Sequence, residues 1–284
     1  MKINIAPFIV GLLLTSVVAY SQVVDHAQLE VLYHFEAVFN RSEPERRTTD
    51  ETILLIGDRY TAYFSFMNFI RDSLRRANPA EYGAQIMTSD GRILTRRPGE
   101  TAEELTARGG AGTTIVPART RLPLNPFGTG HSFINRRTNE VVVSQRIVNM
   151  QTTRLDDLRY TETLENPAWT IRTETQNIIG YHTQKATARF GGRDWTVWFT
   201  PDIPVSEGPW KLRGLPGLIL KAETADGEFS LTATSVVRGT SRPIVKNEER
   251  IYRNVPKRDF FRLKTNGLRN PHRPIEFNHI YILE

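Results

Sequence analysis

From Leu29 to Phe39 the chain alternates without a break, with Leu29, Val31, Tyr33, Phe35, Ala37 and Phe39 at every second position. Side chains on an extended strand point to opposite faces in turn, so this pattern buries one face and wets the other. A helix cannot use it, because helical apolar positions recur three and four residues apart. The run predicts a half-buried strand over 28–39, and a half-buried strand needs neighbours. Residues 51–56 and 59–66 read as strands around Gly57-Asp58, and 131–135 and 140–148 flank Arg136-Arg137-Thr138-Asn139. Residues 169–179 and 181–190 meet at Gly180, while 195–200 places Trp195, Val197 and Phe199 on one face. Residues 218–223 and 229–237 are linked by Ala225-Asp226-Gly227-Glu228. Successive strands joined by short Gly-containing turns make an antiparallel meander. The predicted fold is mainly β: a curved meander sheet, open barrel or sandwich-like, with one or two short helices.

The remaining segments punctuate that sheet. Phe66, Phe69, Ile70, Leu74 and Ala77 recur at helical spacing ahead of Asn78-Pro79, which predicts a short helix. Residues 83–130 carry Gly109-Gly110-Ala111-Gly112 and scattered prolines and read as a long irregular insertion. Within it Thr101-x-x-Glu104 is spaced as a capping box for a helix over 101–107. The expected organisation is one β-rich domain over 22–240 and a polar, basic tail over 241–284, with a short helix at 257–263. Leu215-Pro216-Gly217-Leu218 is expected as a type II turn, with Pro216 presetting φ and Gly217 accepting a positive one. Gly214, Pro216 and Gly217 are thus structural turn residues.

Met1-Lys2, an apolar run to Ala19 and small residues at Ala19 and Ser21 form the tripartite pattern of a secretory signal. Cleavage is expected between Ser21 and Gln22, giving a periplasmic or secreted protein that does not span the membrane afterwards. The chain has no cysteine, which excludes disulfides, a thiol nucleophile and thiolate metal sites. Its 37 basic and 31 acidic residues leave +6, or +5 once Lys2 departs. The positive charge comes in pairs (Arg46-Arg47, Arg75-Arg76, Arg96-Arg97, Arg136-Arg137), a pattern of solvated surface and anionic envelope contacts rather than nucleic-acid binding.

Several separated motifs occur together: Ile178-Ile179-Gly180-Tyr181, Gly192-Arg193-x-Trp195-x-x-Trp198-Phe199-Thr200, Gly208-Pro209-Trp210-Lys211 and Gly214-Leu215-Pro216-Gly217-Leu218-Ile219. With Tyr160-x-Glu162 and Pro167-x-Trp169 upstream, residues 158–237 resemble the GLPGLI family, exported Bacteroidetes-type proteins without an established activity. Many of its members carry a cysteine where this chain has Thr183. The resemblance implies a β-rich exported protein in an organism with an outer membrane. More remotely, the W-x-I…I-x-G-Y pattern is similar to that of periplasmic lipoprotein carriers, whose half-open barrels hold acyl chains.

The chain carries no H-E-x-x-H, G-x-S-x-G, P-loop or dinucleotide fingerprint. None of its six histidines pairs with another at i, i+2 or i, i+4, so no metal and no cofactor is expected. Three of four tryptophans (Trp195, Trp198 and Trp210) fall within sixteen positions, with Lys211 and Arg213 placed to flank a cavity. The leading expectation is a non-enzymatic envelope protein. It would bind a lipid or other hydrophobic ligand, or an envelope protein partner, in a concave sheet lined by Tyr181, Trp198, Trp210 and Arg213. The alternative is a hydrolase acting on glycan or peptide, with an acidic pair drawn from Asp194, Asp202, Glu207 and Glu223 and a raised carboxyl pKa.

Overall fold

The computed structural model describes residues 22–38, 44–45, 47–66, 85–90, 92–95, 97, 100–116, 130–148, 155–246 and 252–268. The expected leader at 1–21 and most of the expected helix at 66–77 lie outside them. Strand β1 (Gln22–Val38) is the spine of the sheet. It begins earlier than its alternating core predicts, and its buried side chains from Ala27 to Ala37 are the odd-numbered ones. On one side β1 pairs with β2 (Arg47–Gly57); on the other it pairs with β14 (Phe229–Arg238) and, at its start, with β15 (Pro243–Lys246).

From β2 the meander continues through β3 (Tyr60–Ser65), β7 (His131–Asn135), β8 (Glu140–Val148) and β9 (Leu155–Thr163). From β14 it runs the other way through β13 (Leu218–Thr224), β12 (Arg193–Thr200), β11 (Tyr181–Phe190) and β10 (Thr170–Ile178). The two-residue β16 (Arg253–Asn254) adds a parallel pair to β9, completing a 13-stranded sheet. The mainly β, open and curved architecture is the one expected from the strand periodicity.

The 83–130 stretch holds more order than loops. A separate three-stranded sheet pairs β4 (Gln85–Met87) with β5 (Ile93–Thr95) and β6 (Thr114–Val116). Helix α1 (Ala102–Gly109) starts at the anticipated capping box: Thr101 Oγ1 accepts from Glu104 N, and Glu104 accepts from Thr101 N at 2.7 Å. Residues after 241 also join the body of the fold. β15 pairs with β1, and helix α2 (Lys257–Leu268) lies against β8 and β9 with Phe260 buried beside Tyr160.

Curvature shows in contacts between strands that are not neighbours. The Tyr33 hydroxyl on β1 donates to the Ile219 carbonyl on β13 at 2.6 Å, across the intervening β14. Burial, with Tyr63 nearby, holds that hydroxyl well above the ordinary tyrosine pKa, so it stays a donor. Phe190 on β11 packs against two core clusters: one built on β1, β12, β13 and β14, the other on β7, β8, β9 and α2. Strand β10, at the end of the sheet, has one neighbour and is exposed along most of its length. Its pairing to β11 is offset between Ile171 and Thr175. Among the described residues no helix is long and apolar enough to cross a membrane.

The β10–β11 hairpin turns on Ile179 (φ 43°) and Gly180 (φ 86°), two positive φ values in succession. That geometry suits asparagine and glycine; a β-branched residue there is strained by about 1 kcal/mol. Ile179 is also 42% exposed, so little packing offsets the strain. Replacing it, Ile179→Asn, should raise Tm by about 2–4 °C, measured by thermal unfolding followed by circular dichroism. An unchanged or lower Tm would show that Ile179 makes a contact worth more than its backbone strain.

Candidate functional site

The connection between β12 and β13, residues 201–217, is a long loop that closes on itself. Leu218 N donates to Ile203 O, Ile219 N to Glu207 O, and Ser206 Oγ to Leu215 O. Its apolar members Ile203, Trp210, Leu212 and Leu215 fill the inner face of the sheet against Trp195, Val197, Phe199 and Leu231. Two glycines permit the path. Gly214 sits at φ +97°, where an L side chain is strained. Gly217 stays outside the left-handed region, but a Cβ there would lie 2.2 Å from the Thr200 carbonyl oxygen. The expected type II turn at Pro216-Gly217 is therefore not formed: close approach of backbones, rather than positive φ, requires that glycine. Trp210 takes φ +58° while almost fully buried, an uncommon backbone state for a bulky residue.

The loop also buries charge. Lys211 and Arg213 are expected to flank a cavity, yet both are buried, as is Leu212 between them. Lys211, 1% exposed, reaches across to β9, where its Nζ lies 2.9 Å from the Tyr160 hydroxyl and donates to Glu162. Lys257 of α2 holds the other Glu162 oxygen at 2.8 Å. Arg213, 9% exposed, donates from one nitrogen to Glu207 at 3.1 Å and from another to Asn139 Oδ1 at 3.1 Å. Arg136, in the β7–β8 turn, donates to the same Glu207 oxygen at 3.1 Å and to the Gly57 carbonyl. Trp169 Nε1 donates to the Arg213 carbonyl at 2.8 Å.

These environments drive two glutamates in opposite directions. Burial raises the pKa of Glu207, and the lowering pull of Arg213 and Arg136 does not fully offset it. Burial would raise Glu162 as well, but Lys211 and Lys257 together hold it below its ordinary value. Glu207 is thus a carboxylate of raised pKa, as the hydrolase alternative anticipates. The acidic pair anticipated with it is not assembled from the four candidates. Asp194, 64% exposed, is engaged by Arg189, Glu223 by Lys221 and Glu207 by the two arginines, while Asp202 is exposed just after β12. Glu207, with 2% of its side chain exposed, reaches no bulk ligand in this arrangement. Its arrangement fixes the loop to the far wing of the sheet. Among the described residues no group of three His, Cys, Asp or Glu side chains could hold a metal ion.

The four residues expected to line a cavity are not gathered in one. Trp210 and Arg213 are buried within the loop, Tyr181 is half-buried at the start of β11, and Trp198 is half-buried on the outer face of β12. Thr183, at the position of the missing cysteine, is buried and donates to Gln176 O at 2.7 Å. Arg136, Asn139 and Lys257 carry no motif of their own; their roles arise only from what the fold brings beside them.

The family description "N-glycanase peptide, N-terminal domain" matches residues 113–258. Two solved structures of PNGF-II, in space groups P21 and C2, are similar at 16% and 15% identity, with TM-scores of 0.47 and 0.45. They cover 85% and 84% of this chain, which spans about a third of their length (34% and 33%). A comparison with curated proteins gives no match. The family match corrects the GLPGLI resemblance. The hexapeptide at 214–219 meets the needs of a loop geometry, a positive φ at Gly214 and a close backbone approach at Gly217. It also overturns the expectation of a non-enzymatic envelope protein holding a hydrophobic ligand or protein partner in a concave sheet, and the inner face is filled by the protein's own loop.

Arg136 still engages Glu207 once Arg213 is gone, so the loss is that of a charge-assisted hydrogen bond rather than of the only counter-charge. Arg213→Met should therefore lower unfolding stability by about 2 kcal/mol in urea denaturation; no measurable change would show the pair to be dispensable. For Glu162, the lowered pKa means that its stabilisation is present above its ordinary value of 4.5 and lost as pH falls through the folded value. Glu162→Gln should be less stable than the wild type at pH 7, with the gap closing on acidification. A gap independent of pH would exclude the two lysines as its cause.

Proposed function

The chain belongs to the family of N-glycanase N-terminal domains, and on that premise we propose that it serves the hydrolytic removal of N-linked glycans from proteins. The observation that carries this reading is what the matched stretch contains. Residues 113–258 include the whole 201–217 loop and the side chains that tie it down: Arg136, Asn139, Tyr160, Glu162, Trp169 and Lys257. The family likeness thus falls on the locked loop and on the strands that receive it. In this reading the ion pairs hold a rigid scaffold, and a rigid scaffold orients a substrate without losing conformational entropy on binding.

Because the chain spans about a third of the PNGF-II structures, the reading assigns it engagement of the glycosylated segment, with the bond-breaking groups among residues yet to be located. Glu207 and Glu162 are both committed to internal cations, so neither is assigned the hydrolytic step. The Met1–Ser21 leader would deliver the protein outside the cytoplasmic membrane, where exported glycoproteins are met.

The test uses purified protein and a denatured high-mannose glycoprotein, beside the same protein stripped of its glycan. Selective retention of the glycosylated form is expected, and mass spectrometry in parallel reports any glycan release. Equal retention of both forms without release, or retention of neither without release, would overturn the proposal.

A further inference from the structure

On β12 the odd-numbered Trp195, Val197 and Phe199 supply the core, so the even-numbered side chains from Asp194 to Trp198 face outward. Trp198 is one of these. Its indole rests partly against the core cluster, which anchors it, while the side chain remains accessible on the sheet surface. Its two cross-strand neighbours are both lysines: Lys185 on β11 and Lys221 on β13. Each lysine is tied to a glutamate, Lys185 to Glu174 at 3.1 Å and Lys221 to Glu223 at 2.8 Å. Lys185 Nζ also stands 6.0 Å from the centre of the Trp198 ring. Two cations and two anions therefore bracket one aromatic side chain, with Arg172 also near Glu174.

We propose that this outer face of β11–β13 is a carbohydrate platform, on which Trp198 stacks against the apolar face of a pyranose ring. Lys185 and Lys221 donate to sugar hydroxyls and Glu174 and Glu223 accept from them. The chemistry favours a neutral sugar over other occupants. A polyanion would find a single excess positive charge here, from Arg172. A lipid tail would leave four charged side chains desolvated around a single indole. A pyranose offers what the patch matches: an apolar C–H face for the ring and a rim of hydroxyls that both donate and accept. Adjacent strands lie about 4.8 Å apart, so the Lys185–Trp198–Lys221 row spans about 10 Å, the width of a disaccharide. The inference rests on the N-glycan reading and places its sugar contact on the face opposite the buried loop.

The probes are N,N′-diacetylchitobiose and a free high-mannose glycan, titrated calorimetrically into wild type, Trp198→Ala and Trp198→Phe. Loss of the indole should weaken binding about tenfold, with partial recovery in the phenylalanine variant. Amide NMR shifts of the wild-type protein should centre on residues 185, 198 and 221, a readout that does not depend on any variant folding. Sugar binding unchanged in a folded Trp198→Ala protein, or shifts mapped elsewhere, would overturn the platform. If that variant still retains glycoprotein selectively, the N-glycan reading survives that failure. If the wild type neither binds the sugars nor retains or deglycosylates glycoprotein, both fall.

Discussion

Three charged side chains under one loop hold the two wings of this sheet together. Glu207, Lys211 and Arg213 leave water when residues 201–217 fold over the inner face, and each finds its counter-charge or partner on another element. The desolvation of such groups is unfavourable by several kcal/mol apiece and is offset only when the partners are in place. The loop, the β7–β8 turn, β9 and α2 are therefore interdependent. In the core beneath them, Trp210 packs its ring against both Phe190 and Trp195. The ion pairs select one placement of the loop among the many that hydrophobic packing alone would tolerate.

How far the sequence revealed this depends on whether a residue's role is local. The alternation from Leu29 to Ala37 is a property of one strand, and it reads correctly from the chain. The Thr101–Glu104 box reads correctly for the same reason, since both of its hydrogen bonds lie within four residues. Strands β4, β5 and β6 are three residues each and carry no period to detect. Strand β9 is hidden by Asp156, Asp157, Arg159 and Glu162, charged residues that interrupt the apolar signal. Two of those, Arg159 and Glu162, find partners on segments almost a hundred residues away.

The loop motif teaches the same lesson from the other side. Gly208-Pro209-Trp210-Lys211 and the hexapeptide after it are locally specific, and they led to the GLPGLI resemblance. Their glycines meet backbone constraints that any chain building this loop would face, so likeness there is compatible with separate ancestry. Placing Lys211 and Arg213 to flank a cavity treated the segment as the wall of an open site. Burial of both followed instead from a loop whose outer wall is another part of the same sheet.

Strand β10 leaves half of its peptide groups facing solvent, an open margin onto which a foreign strand could be added. Two residues of extra length between Ile171 and Thr175 throw that margin out of line. A second molecule approaching flat would meet a step where its ladder of bonds should continue, with Arg172 and Glu174 projecting beside it. The irregularity that interrupts the pairing of this hairpin is thus also a barrier to edge-to-edge addition of a second copy.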